Sequence, residues 1–275
     1  MGLNISNLIK KYKQDNMNTE CGLNKIFDKI FVIHCIENEP RMKNIEFQQK
    51  ENNLKLEIHE TCYFPWSQQA VNGLILSNRG RYIVNGSEFN LTREFYSIIK
   101  RSYLKGLEKI LIFEDDFHLM KNEYLDEFVE NFPQDFDIIQ FSILANREIL
   151  PDYKELENEY EKGNYFIECK KGFWSNCGLA LSRKGMKYFL DTIDKEFLAA
   201  DIVAFEDTNK IYFFGKNNIK SGLKHYIPTV PLVYLNDIGD SKIQETSKKE
   251  LYEYYEHIDK QYYNILNENN KNRSN

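Results

Sequence analysis

Apolar residues in this chain fall in short, unbroken runs separated by charged stretches of helical spacing. Residues 29–36, KIFVIHCI, and 109–113, KILIF, are apolar almost throughout, the pattern of strands buried on both faces of a mostly parallel sheet. Glu39-Pro40-Arg41 begins a helix with Pro in its first turn, and a second strand follows over 54–61. Residues 62–90 mix aromatics, Gln, Asn and Gly without a period and read as loop with short pieces of structure. Thr92 is the expected N-cap of a helix whose apolar face is Phe95, Ile98, Ile99, Ser102 and Leu104 and which Gly106 stops.

Beyond the second run, a helix is expected over 124–132, a strand over 137–141 and an exposed charged helix or excursion over 152–163. Strands are expected over 165–169 and 173–181, with Ser182 capping a helix that runs to about residue 190. Residues 211–214 and 226–235 carry further β signal. A last helix, 246–267, places Leu251, Tyr255, Ile258, Tyr262 and Ile265 on one stripe that would dock on the rest. The order predicts a Rossmann-like α/β fold in a single domain over 25–245, with 1–24 as lead-in and 268–275 as a polar tail.

The run at 109–113 ends in Glu114, Asp115 and Asp116. In sheets of this kind ligands bind beyond the carboxyl ends of the strands, so three carboxylates there would face the binding crevice. The alternative is a solvated acidic turn. Glu114 and Asp116 would share one side if the strand alternation continued, which favours that pair for one shared ligand.

Composition narrows the chemistry. Charged residues are 28% and the formal net charge is -6, with Lys and Arg dispersed, which argues against a nucleic-acid partner. The five cysteines are widely spaced and form no CxxC pair, as expected of reduced thiols in a cytoplasmic setting. A chain rich in carboxylates and without a His/Cys cluster suits Mn²⁺ or Mg²⁺ better than zinc. No run approaches the ~18 apolar residues of a membrane span. The expectation is therefore at most peripheral contact with a membrane surface.

Six blocks then carry a resemblance. KIFVIHCIENEPRMKN, NLTREFYSIIKRSYLKGLEKILIFEDD, DFDIIQFS, FWSNCGLALSRKGMKYFL, AADIVAFE and PLVYLNDIGDSKI resemble, in that order, the blocks of glycosyltransferase family 25, over about 25–245. That family includes lipopolysaccharide-type sugar transferases and collagen galactosyltransferases. The resemblance implies a GT-A-like fold, a nucleotide-sugar donor with UDP as the expected nucleotide, a divalent metal at the acidic triplet, and inversion at the anomeric carbon. The acceptor would be a hydroxyl of a glycan, lipid-linked or protein substrate.

Within that triplet, Asp116 is the first choice for the metal ligand. Glu114 becomes a second ligand or a contact to the sugar or ribose, with Asp115 between them in the donor site. Arg41 matches a basic residue near the nucleotide and would pair with the diphosphate, unless it is an ordinary helix-surface residue. Asp201 is the candidate base, with Glu206 and Asp207 as rivals and helix capping as the bland reading. Asp237 and Asp240 lie in a late loop and would complete the metal shell or simply make a turn. Trp66 and Trp174 are stacking residues or core. His34 reads as a core histidine, and His118 and His225 as late metal or phosphate contacts.

The helix before the acidic strand, EFYSIIKRSY, lacks the Ser-His pair that the family usually carries there. That departure keeps open an inactive nucleotide-sugar-binding protein of the same fold. A metal-dependent phosphohydrolase is the rival from another enzyme class.

Overall fold

A computed structural model of the chain describes residues 20–62, 86–120, 122–142, 153–169, 177–195, 200, 203 and 222–235. All of them lie in the first of two compact units, Met1–Gly239, the second being Asp240–Asn275. The expected helix 246–267, the β signal at 211–214 and most of the 62–90 connection lie outside the described residues.

The elements, in chain order, are α1 (Leu23–Ile26), β1 (Lys29–Cys35), α2 (Glu39–Asn52), β2 (Leu56–Thr61), α3 (Gly86–Leu104), β3 (Lys109–Glu114), β4 (Phe117–Leu119), α4 (Asn122–Glu130), β5 (Ile138–Gln140), α5 (Tyr153–Glu161), β6 (Phe166–Glu168), β7 (Gly178–Ser182), α6 (Arg183–Lys195), β8 (His225–Pro228) and β9 (Val233–Leu235). Seven strands form one mixed sheet in the order β2-β1-β3-β7-β5-β8-β6, and β4 pairs with β9 in a separate two-stranded ribbon. Strands β1, β2, β3, β5 and β8 point one way, while β7 and β6 run against them. The fold is thus the expected α/β architecture with a mostly parallel central sheet.

Strand alternation sorts the sheet residues between its faces. Phe31 and Ile33 of β1, Ile110 and Ile112 of β3, and Leu179 and Leu181 of β7 join Phe95, Ile98 and Ile99 of α3 and Met186, Phe189 and Ile193 of α6 in one buried cluster. On the other face α2 packs against β1 and β4. Edge-to-face contacts link Phe27 to Phe132 and Phe132 to Phe136 at 5.6 and 5.5 Å, holding the β1 entry against the segment that follows α4.

Two local expectations change. Thr92 is not a cap: α3 begins at Gly86, and the buried Thr92 hydroxyl instead accepts from the Ala200 N–H at 3.1 Å. The β signal at 226–235 divides into β8, in the main sheet, and β9, in the ribbon. Ser182 does cap α6, its Oγ accepting from the Gly185 N–H at 3.2 Å.

Register sets the geometry of the site. Strands β1 and β3 are parallel with Ile33 opposite Glu114, so the last residues of β1, His34 and Cys35, lie beside the first residue after β3, Asp115.

Candidate functional site

The alternation used to pair Glu114 with Asp116 stops at Glu114, because β3 ends there and Asp115-Asp116 form a turn into β4. Asp115 is buried and bonded on both oxygens. Its Oδ1 accepts from Arg41 Nη1 at 2.5 Å; its Oδ2 accepts from His34 Nδ1 at 3.1 Å and from the Cys35 backbone N–H at 3.2 Å. A carboxylate can only accept, so His34 carries its proton on Nδ1. Burial pushes the Asp115 carboxyl up, but the His34 hydrogen bond and the Arg41 charge outweigh it and hold the group below its ordinary value. His34 is therefore a partnered core histidine, as its place inside a strand suggested.

Asp116 is differently placed. Its Oδ2 meets Arg41 Nη2 at 3.2 Å, but its Oδ1 is buried and has no hydrogen-bond partner among the described residues. Burial pushes its carboxyl up to about 6, against the pull of Arg41 and with the help of the Asp115 charge. Arg41 enters from the first turns of α2, whose N-cap Asn38 accepts from the Arg41 N–H at 3.4 Å. Its guanidinium bridges the two aspartates in the fork geometry that lysine lacks. Cys177, just before β7, is buried, and its thiol is pushed well up by that burial and by the charges of Asp116 and Glu114.

The backbone of this turn is held from α2 by residues that sequence reasoning did not single out. Asn44 Nδ2 donates to Asp115 O at 3.2 Å and to Phe117 O at 2.9 Å. Gln48 Oε1 accepts from the Leu119 N–H at 3.1 Å, and Gln48 Nε2 bonds His118 Nδ1 at 2.8 Å. The available signal was spacing: 44, 48 and 52 are four apart and lie on one helix face.

A second polar cluster lies between β2 and α3. Glu94 accepts from His59 Nε2 at 2.7 Å, from the Thr61 hydroxyl at 3.2 Å and from Arg93 Nε at 2.9 Å. Burial raises its carboxyl, but the His59 and Arg93 bonds win and bring it to about 2. His225, in β8, is buried with neither ring nitrogen bonded among the described residues, and burial lowers it to about 4. Asp201, Glu206, Asp207, Asp237, Asp240, Trp66 and Trp174 lie outside the described residues.

Among the described residues, no group of three His, Cys, Asp or Glu side chains converges as a ready-made metal cage. The turn nevertheless suits one kind of ion. Mg²⁺ and Mn²⁺ keep several waters and are held by one or two carboxylates plus ligand phosphates. The unpartnered Asp116 oxygen offers one such carboxylate, with Glu114 next along the strand end. Asp115 is already occupied by Arg41, His34 and the Cys35 N–H. Zinc, which takes a closed set of N and S ligands in structural sites, does not fit.

No family model matches this chain, and no curated protein matches it. Similar solved structures include A197 from STIV (TM-score 0.35, 8% identity, covering 80% of this chain and 99% of that one). They also include the galactosyltransferase LgtC in complex with donor and acceptor sugar analogs (TM-score 0.32, 13% identity, covering 64% and 69%). A third is mouse xyloside xylosyltransferase 1 in its apo form (TM-score 0.31, 12% identity, covering 63% and 79%). Of the described helices, none is long and apolar enough to cross a membrane.

Proposed function

We propose that the Glu114–Asp116 turn is the cation and diphosphate site of an inverting glycosyltransferase of the family 25 type. The observation that carries this reading is the buried Oδ1 of Asp116, without a partner among the described residues, just beyond the carboxyl end of β3. A native carboxyl raised to about 6 by burial is costly to keep, and such groups gather where a ligand supplies the missing charge. The six residue blocks support the same reading, with a UDP-sugar as donor and a glycan, lipid-linked or protein hydroxyl as acceptor.

A bound Mn²⁺ or Mg²⁺ would stabilise the negative charge that grows on the diphosphate as the glycosidic bond breaks. Asp116 would hold it, with Glu114 as second ligand or as a contact to the donor sugar. Arg41 is anchored by Asp115, which in turn is held by His34 and the Cys35 N–H, so its guanidinium is fixed beside the phosphates instead of sweeping solvent. In this reading Asp115 positions Arg41 and touches no ligand. Asp201 is the proposed base, taking the acceptor hydroxyl proton on the face opposite the leaving diphosphate.

A second reading has one observation in its favour. Arg41 already pairs with both aspartates, so the turn is partly neutralised without any metal. A nucleotide-sugar-binding protein without transfer activity would need no more.

Titration with UDP- and GDP-sugars, with and without Mn²⁺, tests the proposal. Mn²⁺-dependent binding of one nucleotide class, followed by slow hydrolysis of the donor without acceptor, is the expected outcome. Metal-independent binding without hydrolysis would favour the second reading, and no binding at all would refute both.

A further inference from the structure

Helix α2 buries an unusual face. Its buried residues are Asn44, Ile45, Gln48 and Asn52, so amides replace the apolar stripe that normally seats a helix on a sheet. At 3.6 residues per turn Arg41 shares that face, and Arg41, Asn44 and Gln48 all bond to one short segment, Asp115 to Leu119, while Asn52 bonds back to Gln48. Arg41 takes the two carboxylates. Asn44 brackets Asp116 by donating to the carbonyls on either side of it, Asp115 O and Phe117 O. Gln48 takes the next stretch, accepting from the Leu119 N–H and bonding His118.

The hydrogen bonding also settles the orientation of Gln48. Its Oε1 accepts from both the Leu119 N–H and Asn52 Nδ2, each at 3.1 Å, so its Nε2 is the donor to His118. His118 Nδ1 therefore accepts, and the ring proton sits on Nε2.

We propose that Asn44 and Gln48 are positioning residues, which lock the backbone of the acidic turn to the helix that carries Arg41 and so fix where Asp116 presents its carboxylate. The proposal rests on the reading of this turn as a cation and diphosphate site. Asn44 and Gln48 are 5% and 1% exposed, so they act through the turn and not by touching a ligand. Arg41 and Asp116 then move as one unit, because α2 holds both.

The experiment is Mn²⁺ titration in the presence of UDP, followed by electron paramagnetic resonance of free Mn²⁺, on the full chain. The variants are Asn44→Leu, Asp116→Asn and the double variant, with circular dichroism and cooperative unfolding to check the fold. Asn44→Leu should weaken Mn²⁺ binding roughly 10- to 100-fold, as loss of a supporting residue around a metal ligand typically does. The double variant should bind no more weakly than Asp116→Asn alone. If Asn44→Leu does not fold, Gln48→Met takes its place with the same expectation. Nitrogen-15 NMR of wild-type His118 should show the Nε2–H tautomer.

Binding unchanged in Asn44→Leu, or a loss that adds to that of Asp116→Asn, would overturn the positioning role while leaving the site intact. A His118 proton on Nδ1 would overturn the part assigned to Gln48. A wild-type protein that takes up no Mn²⁺ with UDP would instead remove the functional reading beneath the proposal.

Discussion

Asp116→Asn should make the unliganded protein more stable at neutral pH. The side chain is 15% exposed, and burial raises its carboxyl from the ordinary 3.8 to about 6. A rise of about two pH units means that the ionised form costs the fold roughly 3 kcal/mol relative to the protonated one, at about 1.4 kcal/mol per unit. The sign follows from linkage: between 3.8 and about 6 the native state binds the proton that the unfolded chain has released. The stability associated with Asp116 is thus complete below 3.8 and is lost as pH rises through about 6. An amide removes the charge but leaves an N–H group in a buried place without an acceptor, which takes back about 1–2 kcal/mol. The net gain at pH 7.5 is then about 1–2 kcal/mol, or roughly 2–6 °C in Tm for a chain of this size.

Differential scanning fluorimetry of wild type and Asp116→Asn at pH 7.5 and pH 4.5 reads this directly. The variant should melt higher at pH 7.5, and the gap should close at pH 4.5, where wild-type Asp116 is protonated. Added Mn²⁺ should raise the wild-type Tm in proportion to the logarithm of its concentration once saturating, and should leave the variant unmoved. A variant that melts lower at pH 7.5, or a gap that is the same at both pH values, would refute the claim that burial holds the Asp116 carboxyl above its ordinary value.

Two further outcomes follow from the fold. His225 is buried with no ring partner among the described residues and lowered to about 4, so the unfolded chain takes up its proton first as pH falls below 6.5 and the fold loses stability through that window. His225→Leu should therefore be at least as stable as wild type at pH 7.5 and more stable by about 2 kcal/mol at pH 5, measured by urea unfolding; an equal loss at both pH values would contradict it. A Cβ at Gly185 would lie inside contact distance of the backbone oxygen of Asp137, where α6 seats against the start of β5. Gly185→Ala should cost about 2 kcal/mol or more in the same assay despite its better helix propensity, and unchanged stability would count against that close approach.

The parts of the fold legible in the sequence were those that local chemistry decides. Apolar runs gave β1 and β3 because both faces of those strands are covered, Pro40 marked the start of α2, and Ser182 capped α6. Strand β4 was not legible. It is three residues long and is stabilised by β9, more than a hundred residues later, so nothing near it in the chain announces it.

The start of α3 was misplaced for a related reason. Thr92 has a capping side chain, but its hydroxyl serves Ala200, 108 residues away.

Within the acidic turn the sequence could mark three carboxylates but could not separate their roles. Asp115 and Asp116 are chemically identical neighbours, and what divides them is His34, 81 residues before Asp115, and the Cys35 backbone N–H, 80 residues before it, both of which bond Asp115. The amide face of α2 was not legible for the same reason. Asn44 and Gln48 look like part of a solvated stripe, because burying them is favourable only once the backbone of a distant turn supplies their partners.

The central claim is that Asp116 holds a divalent cation for a nucleotide-sugar donor. Isothermal titration of UDP-sugars into wild type and Asp116→Ala, each with and without Mn²⁺, measures it. The prediction is binding to wild type only when Mn²⁺ is present, and no such binding to Asp116→Ala while its circular dichroism spectrum and cooperative unfolding are retained. Equal Mn²⁺-dependent binding by the two proteins would contradict the claim.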